Sequence, residues 1–209
     1  VGQKRIYELT ENLAPETDYC LPIDRSGTAN AQRVTIADLL RDVTQNAPWQ
    51  LAGVLQAADA ANEDWFGRGV ALSADGAILA VGASSWEGAT GSNRGGVYIF
   101  DWSGAAWVQR GSVIEAADAA DSDAFGASVA LSADGAILAV GANGWEGATG
   151  SNRGGVYIFD WSGAAWVQRG SVIEAADAAD SDAFGASVAL SADGAILAVG
   201  ASSWEGATG

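Results

Sequence analysis

The sequence predicts a mainly β protein, built from four-stranded, propeller-blade-like repeats of 59 residues behind a small α+β N-terminal module. Three observations carry this. The stretch "SADGAILAVGA" occurs at Ser73–Ala83, Ser132–Ala142 and Ser191–Ala201, at a constant spacing of 59 residues. Gly96–Gly150 and Gly155–Gly209 differ only where Asn143 and Gly144 become Ser202 and Ser203. The composition is 49% hydrophobic, with much of that Ala, and 28 residues are Gly. Small residues bury little area each, so a core made from them must be thin and closely packed, as between stacked sheets.

Residues 51–209 hold about 2.7 copies and are expected to continue beyond the segment; residues 1–50 do not repeat. Within a copy the alternation predicts four strands. "GVYIFDW" (Gly96–Trp102) sets Val97 and Ile99 against Tyr98, Phe100 and Trp102. "SGAA" turns the chain, and "WVQRGSVIEA" (Trp107–Ala116) returns, with Trp102 and Trp107 as a cross-strand pair. An acidic loop follows, then "FGASVALS" (Phe125–Ser132). Asp134-Gly135 supplies a hairpin turn, because Gly tolerates positive φ and Asp bonds to its own backbone. "AILAVGA" (Ala136–Ala142) closes the set. The last two strands are apolar or small on both faces, which predicts cover on both sides. A single sheet cannot supply that cover, so repetition must.

The formal charge is -16. Residues 51–209 carry five Arg and nineteen Asp or Glu, which excludes the basic surface that nucleic acid or an anionic membrane requires. No apolar run approaches a spanning helix, so no membrane insertion is expected. One cysteine, Cys20, leaves no disulfide framework and is compatible with assembly in a reducing compartment. With no histidine, Ser-His-Asp and Cys-His catalysis and typical zinc sites are excluded within the chain. The carboxylate pairs Asp121/Asp123 and Asp180/Asp182 sit in a copied loop, unlike a catalytic pair, and no enzyme activity or cofactor is expected. "GSNRGG" (Gly91–Gly96) lacks the Lys and following helix of a phosphate loop. Trp86, Trp145 and Trp204 lie in "WEGATG" loops. They are candidate glycan-contact residues, or else they pack over a blade edge. Arg94 and Arg153 are placed to bridge acidic loops.

The stretches "FGASVALSADGAILAVGA" (Phe125–Ala142) and "GGVYIFDWSGAAWVQRGSVIEAAD" (Gly154–Asp177) resemble the FG-GAP repeat family in its bacterial form. The resemblance covers about three quarters of the chain and implies propeller blades, often in surface recognition proteins. Integrin-type members carry a calcium loop between the last two strands. Here that place holds only Ser132-Ala133-Asp134-Gly135, too few oxygens for calcium. The acidic loop "DAADSD" (Asp118–Asp123) reads as solvated, with gathering of a metal as the alternative.

Residues 1–50 follow another pattern. Tyr19, Leu21 and Ile23 alternate as in a short strand, and "RSGTAN" (Arg25–Asn30) reads as a turn. Thr35 caps a helix whose Ile36, Leu39, Leu40 and Val43 form one apolar stripe. Four buried side chains do not offset the entropy of ordering so short a helix, so it must dock. The segment resembles the attachment modules of bacteriophage tail fibres and tailspikes in Tyr19–Asp24, Gly27 and Arg33–Leu40. That implies a homotrimer held by tail or baseplate proteins, located in the virion tail and assembled in the host cytoplasm. The repeats would form a shaft or bind a host surface glycan or protein. The alternatives are a small cap on the first blade and, for the whole chain, a bacterial surface or secreted adhesion protein with a single-chain propeller.

Overall fold

The computed structural model describes residues 54–205, apart from Ala60, Asn62, Ala89, Thr90, Ala148 and Thr149. The strand and helix expected within residues 1–50, and with them Tyr19, Leu21, Ile23, Ile36, Leu39, Leu40 and Val43, lie outside the described residues. Ten strands and no helix are found among those described: β1 (Phe66–Leu72), β2 (Ile78–Ala83), β3 (Gly96–Trp102), β4 (Trp107–Gln109), β5 (Phe125–Leu131), β6 (Ile137–Ala142), β7 (Gly155–Trp161), β8 (Trp166–Gln168), β9 (Phe184–Leu190) and β10 (Leu197–Ala201). They form antiparallel meanders in the orders β1-β2-β3-β4 and β5-β6-β7-β8, plus the hairpin β9-β10. These are blade-like sheets.

The structure corrects two expectations. Each sheet begins at the Phe-Gly strand, whereas the sequence reading began each copy at "GVYIFDW". The spacing is cyclic, so it does not say which four strands share hydrogen bonds. The long acidic loop proves to be the crossing between sheets. The return strand is also shorter than Trp107–Ala116. β4 ends at Gln109, Gly111 takes φ +75°, and pairing resumes only at the bridge Val97↔Ile114. The cross-strand Trp pair is as expected. Trp102 faces Trp107 with centroids 5.3 Å apart, and Trp161 faces Trp166 at 5.5 Å.

The core sits between sheets, and its two walls differ. One face of the second sheet presents large side chains: Phe125, Leu138, Val140, Tyr157 and Phe159. They pack on small or branched residues of the first sheet, Ala80, Val97 and Ile99. The other face presents Ala130, Ala139 and Val156, which receive Phe184, Val188, Leu190, Leu197 and Val199 of the third. Large meets small at each junction, which lets two apolar faces interdigitate. Cover decides burial. Val129 on β5 is 7% exposed, while its counterpart Val70 on β1, with no sheet described in front of it, is 63% exposed.

Glycine lets the sheets touch. A Cβ on Gly82 would lie 1.9 Å from the Gly126 carbonyl oxygen, and one on Gly141 would lie 2.0 Å from that of Gly185. Gly126 itself, at φ +88°, sits in a bulge where the β5–β6 register shifts. At the opposite strand end the hairpin turns form a ladder. Ala74 N–H donates to Ala133 O (2.9 Å), and Ala133 N–H donates to Ala192 O (2.8 Å).

Each turn is braced as the sequence predicts. Ser132 Oγ donates to Asp134 Oδ1 (2.6 Å) and accepts the Ile137 N–H (2.9 Å), while Asp134 also accepts the Ala136 N–H (3.0 Å). Ser132→Ala removes the partner of that N–H in a covered site, and urea titration is expected to show a loss of about 1–3 kcal/mol. The Ser132 hydroxyl, and after it the Ala136 amide, holds Asp134 below the ordinary carboxylate range, and Asp75 and Asp193 behave alike. A depressed folded pKa stabilises above the unfolded value. That contribution therefore disappears as pH falls through the folded value, and a melting series into acid should show the decline.

Candidate functional site

The acidic loop between sheets is held from the preceding sheet's "GSNR" loop. Ser92 N–H donates to Asp121 Oδ1 (3.0 Å), and Ser122 N–H donates to Ser92 O (3.0 Å). Ala124 N–H donates to Asn93 O (3.2 Å), and Phe125 N–H to Arg94 O (3.0 Å). The same four bonds recur one repeat later through Ser151, Asn152 and Arg153. Asn93, Ser122 and Ala124 all take positive φ, at 54°, 71° and 55°. Non-glycine residues adopt that region only when neighbours over-determine it. Here the reward is the docking of Phe125, fully buried and edge-on to Tyr157 and Phe159. The Arg94 guanidinium donates to Ala119 O, so it does bridge into the acidic loop, through a backbone carbonyl.

The reading of this loop as solvated holds for Asp121 and fails for Asp123. Asp121 is exposed, whereas Asp123 is 1% exposed, and Asp64 and Asp182 are buried at the matching positions. Asp123 Oδ2 accepts the Ala120 N–H at 2.7 Å, a bond repeated by Asp64 and Asp182. The other oxygen, Oδ1, is buried without a hydrogen-bond partner. Burial raises the Asp123 carboxyl above its ordinary value, Asp118 and Glu146 push the same way, and the Ala120 amide and Arg94 oppose. Nearby, Tyr157 O–H donates to Asp118 Oδ1 at 2.9 Å, as Tyr98 does to Asp59. Burial, and then the Asp118 bond, raises the Tyr157 phenol. Sequence spacing alone does not separate Asp121 from Asp123. The available signal was that an Asp stands two residues before each Phe-Gly in all three copies (Asp64, Asp123, Asp182), whereas the position of Asp121 holds Asn62 in the first.

The three loop tryptophans are not equivalent. Trp86 and Trp145 are half-buried, Trp86 against the cluster of the first sheet and Trp145 against the one shared by the first and second sheets, close to Gly96 and Gly155 respectively. Their backbones close the loop: Trp145 N–H donates to Ala142 O (3.1 Å), and Trp145 O accepts the Gly154 N–H (2.9 Å). Trp204 is 55% exposed. Trp145 also lines a cleft of about 480 Å³ with Asp118, Asp123, Glu146, Gly147 and Glu174. Of the sequence candidates, the fold therefore brings Trp145 together with the acidic loop, and Trp204 together with that loop's copy one repeat along. Among the described residues, no three Asp, Glu, Cys or His side chains lie close enough to hold one metal ion.

The Phe-Gly strand lies opposite the Gly-Ala strand, with Phe125 paired to Ala142. The FG-GAP repeat matches residues 49–100 and 107–159, together just over half of the chain. The chain belongs to the FG-GAP repeat family. A search of curated proteins found no match. Both halves of the FG-GAP signature have a physical account here. The FG phenylalanine fills the core and its glycine makes the bulge. The second glycine, Gly82 or Gly141, admits the FG backbone of the following repeat.

Proposed function

We propose that this FG-GAP protein is a phage virion structural protein of the tail fibre or spike class. Residues 1–50 anchor it as a homotrimer to tail or baseplate proteins, and the stacked repeats project as a shaft or host-surface binding region. The observation that carries a structural or binding role is the use made of the acidic loop. Asp118, Asp121 and Asp123 are each engaged in internal hydrogen bonds, and the arrangement is copied at successive junctions. Such groups build a repeating scaffold. The virion part of the reading draws on the resemblance in Tyr19–Asp24 and Arg33–Leu40. Deleting residues 1–45 is expected to abolish incorporation into particles, and mass measurement of the purified chain to give three copies. A stable monomer that still binds cells after the deletion would favour the second reading, a cell-surface or secreted adhesion protein, which membership in the FG-GAP family supports equally.

A further inference from the structure

We propose that Asn143–Gly144 is a self-modifying site, shut while the acidic loop rests on it and reactive once that loop lifts. The isoaspartate it forms then keeps the loop from docking again. This is the one Asn-Gly step in the chain, and Ser84–Ser85 and Ser202–Ser203 stand in its place in the other copies. The turn does not call for it. Trp145 N–H donates to Ala142 O (3.1 Å) around Asn143 and Gly144, as Trp86 N–H donates to Ala83 O (3.1 Å) around two serines. Neither Asn143 nor Gly144 takes a positive φ, the conformation for which Asn-Gly is favoured in turns.

What Asn-Gly adds is covalent chemistry, because glycine puts no side chain beside the attacking nitrogen. The Gly144 nitrogen bonds to Asn143 Cγ and closes a five-membered succinimide. The side-chain nitrogen leaves as ammonia, taking up the Gly144 amide proton. Water then opens the ring at either carbonyl, giving aspartate or isoaspartate. The only co-reactant is water.

The fold holds that nitrogen. Gly144 N–H donates to Asp123 O (3.1 Å), and Gly144 lies so close to the loop that an added Cβ would stand 2.1 Å from Ser122 O. Asn143 is half-buried. Attack therefore requires the loop to lift, as exchange of a protected amide does. The same bonds reject the product. Isoaspartate inserts one main-chain atom between the Asn143 Cα and the Gly144 nitrogen. The turn closed by Trp145 N–H and Ala142 O then grows by an atom, and Gly144 N–H moves off Asp123 O. The loop so released runs directly into Phe125, whose burial ties the second sheet to the first. The inference rests on this junction and stands apart from the anchoring role of residues 1–50.

The test follows the full chain at neutral pH by peptide mass spectrometry, reading the amide-to-acid mass gain at Asn143. Isomerisation at the three Asp-Gly turns changes no mass and does not interfere. The folded chain is expected to react about tenfold or more slowly than the same chain in guanidinium chloride. Phe125→Ala should speed the folded reaction about tenfold or more and leave the denatured one unchanged; should it fail to fold, Ser132→Ala is expected to speed it severalfold. Asn143→Ser with Gly144→Ser, the pairing of the third copy, should abolish the signal. A chain aged in denaturant and refolded is then examined by hydrogen exchange. Its isoaspartyl fraction is expected to lose amide protection over Ala120–Phe125, while Asn143→Asp, which adds the charge without the extra atom, keeps it. Equal folded and denatured rates, or a folded rate indifferent to the destabilising variants, would overturn the proposal. So would full protection in the isoaspartyl fraction, or equal loss in Asn143→Asp.

Discussion

Phe125→Ala is expected to destabilise the described repeats by about 3–5 kcal/mol in chemical denaturation, the usual cost of deleting a fully buried aromatic ring. The ring is 0% exposed and lies edge-on to Tyr157 (5.3 Å) and Phe159 (6.0 Å), so truncation forfeits both contacts and leaves a cavity that the rigid junction cannot close. Val108→Ala, at a side chain 55% exposed, is the comparison and should cost clearly less. Equal losses at both positions would mean that burial between sheets is not what the Phe contributes.

Gly141→Ala is expected to uncouple the third sheet from the second. The new Cβ would lie 2.0 Å from the Gly185 carbonyl oxygen and 2.4 Å from Ser128 Oγ, and Ser128 Oγ itself donates to Gly185 O at 2.8 Å. Backbone cannot swing aside as a side-chain tip can, so relief requires the sheets to part. We expect a loss of about 3 kcal/mol or more, at the upper end for overpacking. A two-stranded hairpin is marginal by itself. Hydrogen exchange should therefore show β9–β10 amides losing protection while β5–β8 keeps most of its own. Gly69→Ala is the matched comparison: its Cβ would stand 3.1 Å from the Gly126 carbonyl oxygen, a far milder approach, and should cost clearly less. Similar effects at Gly141 and Gly69 would contradict the backbone-contact account.

Much of this was legible because it is local. The Ser132–Asp134–Gly135 turn, the Trp102–Trp107 pair and the two-sided apolar character of "AILAVGA" each follow from residues a few positions apart. What was not legible depends on register or on a neighbouring sheet. The phase of the sheet is undetermined by a periodic pattern, and the return strand breaks at a Gly111 that looks like any other glycine. Asp121 and Asp123 sit two residues apart with the same chemistry, yet one faces solvent and the other is buried. Their difference comes from the "GSNR" loop of the preceding repeat, 29 positions before Asp121.

The large-on-small junction carries a hazard during synthesis. Each Phe-Gly segment recognises a Gly-Gly corner: Phe125 bridges Gly95, and Phe184 bridges Gly154. The two receiving corners have the same sequence, "SNRGGVYIF". Phe184 can therefore seat on the corner meant for Phe125, skipping one blade and expelling it as a loop. The swapped state forfeits the burial of the expelled blade on both of its faces, and the nearer partner also emerges first, so stability and order of synthesis both favour the native pairing.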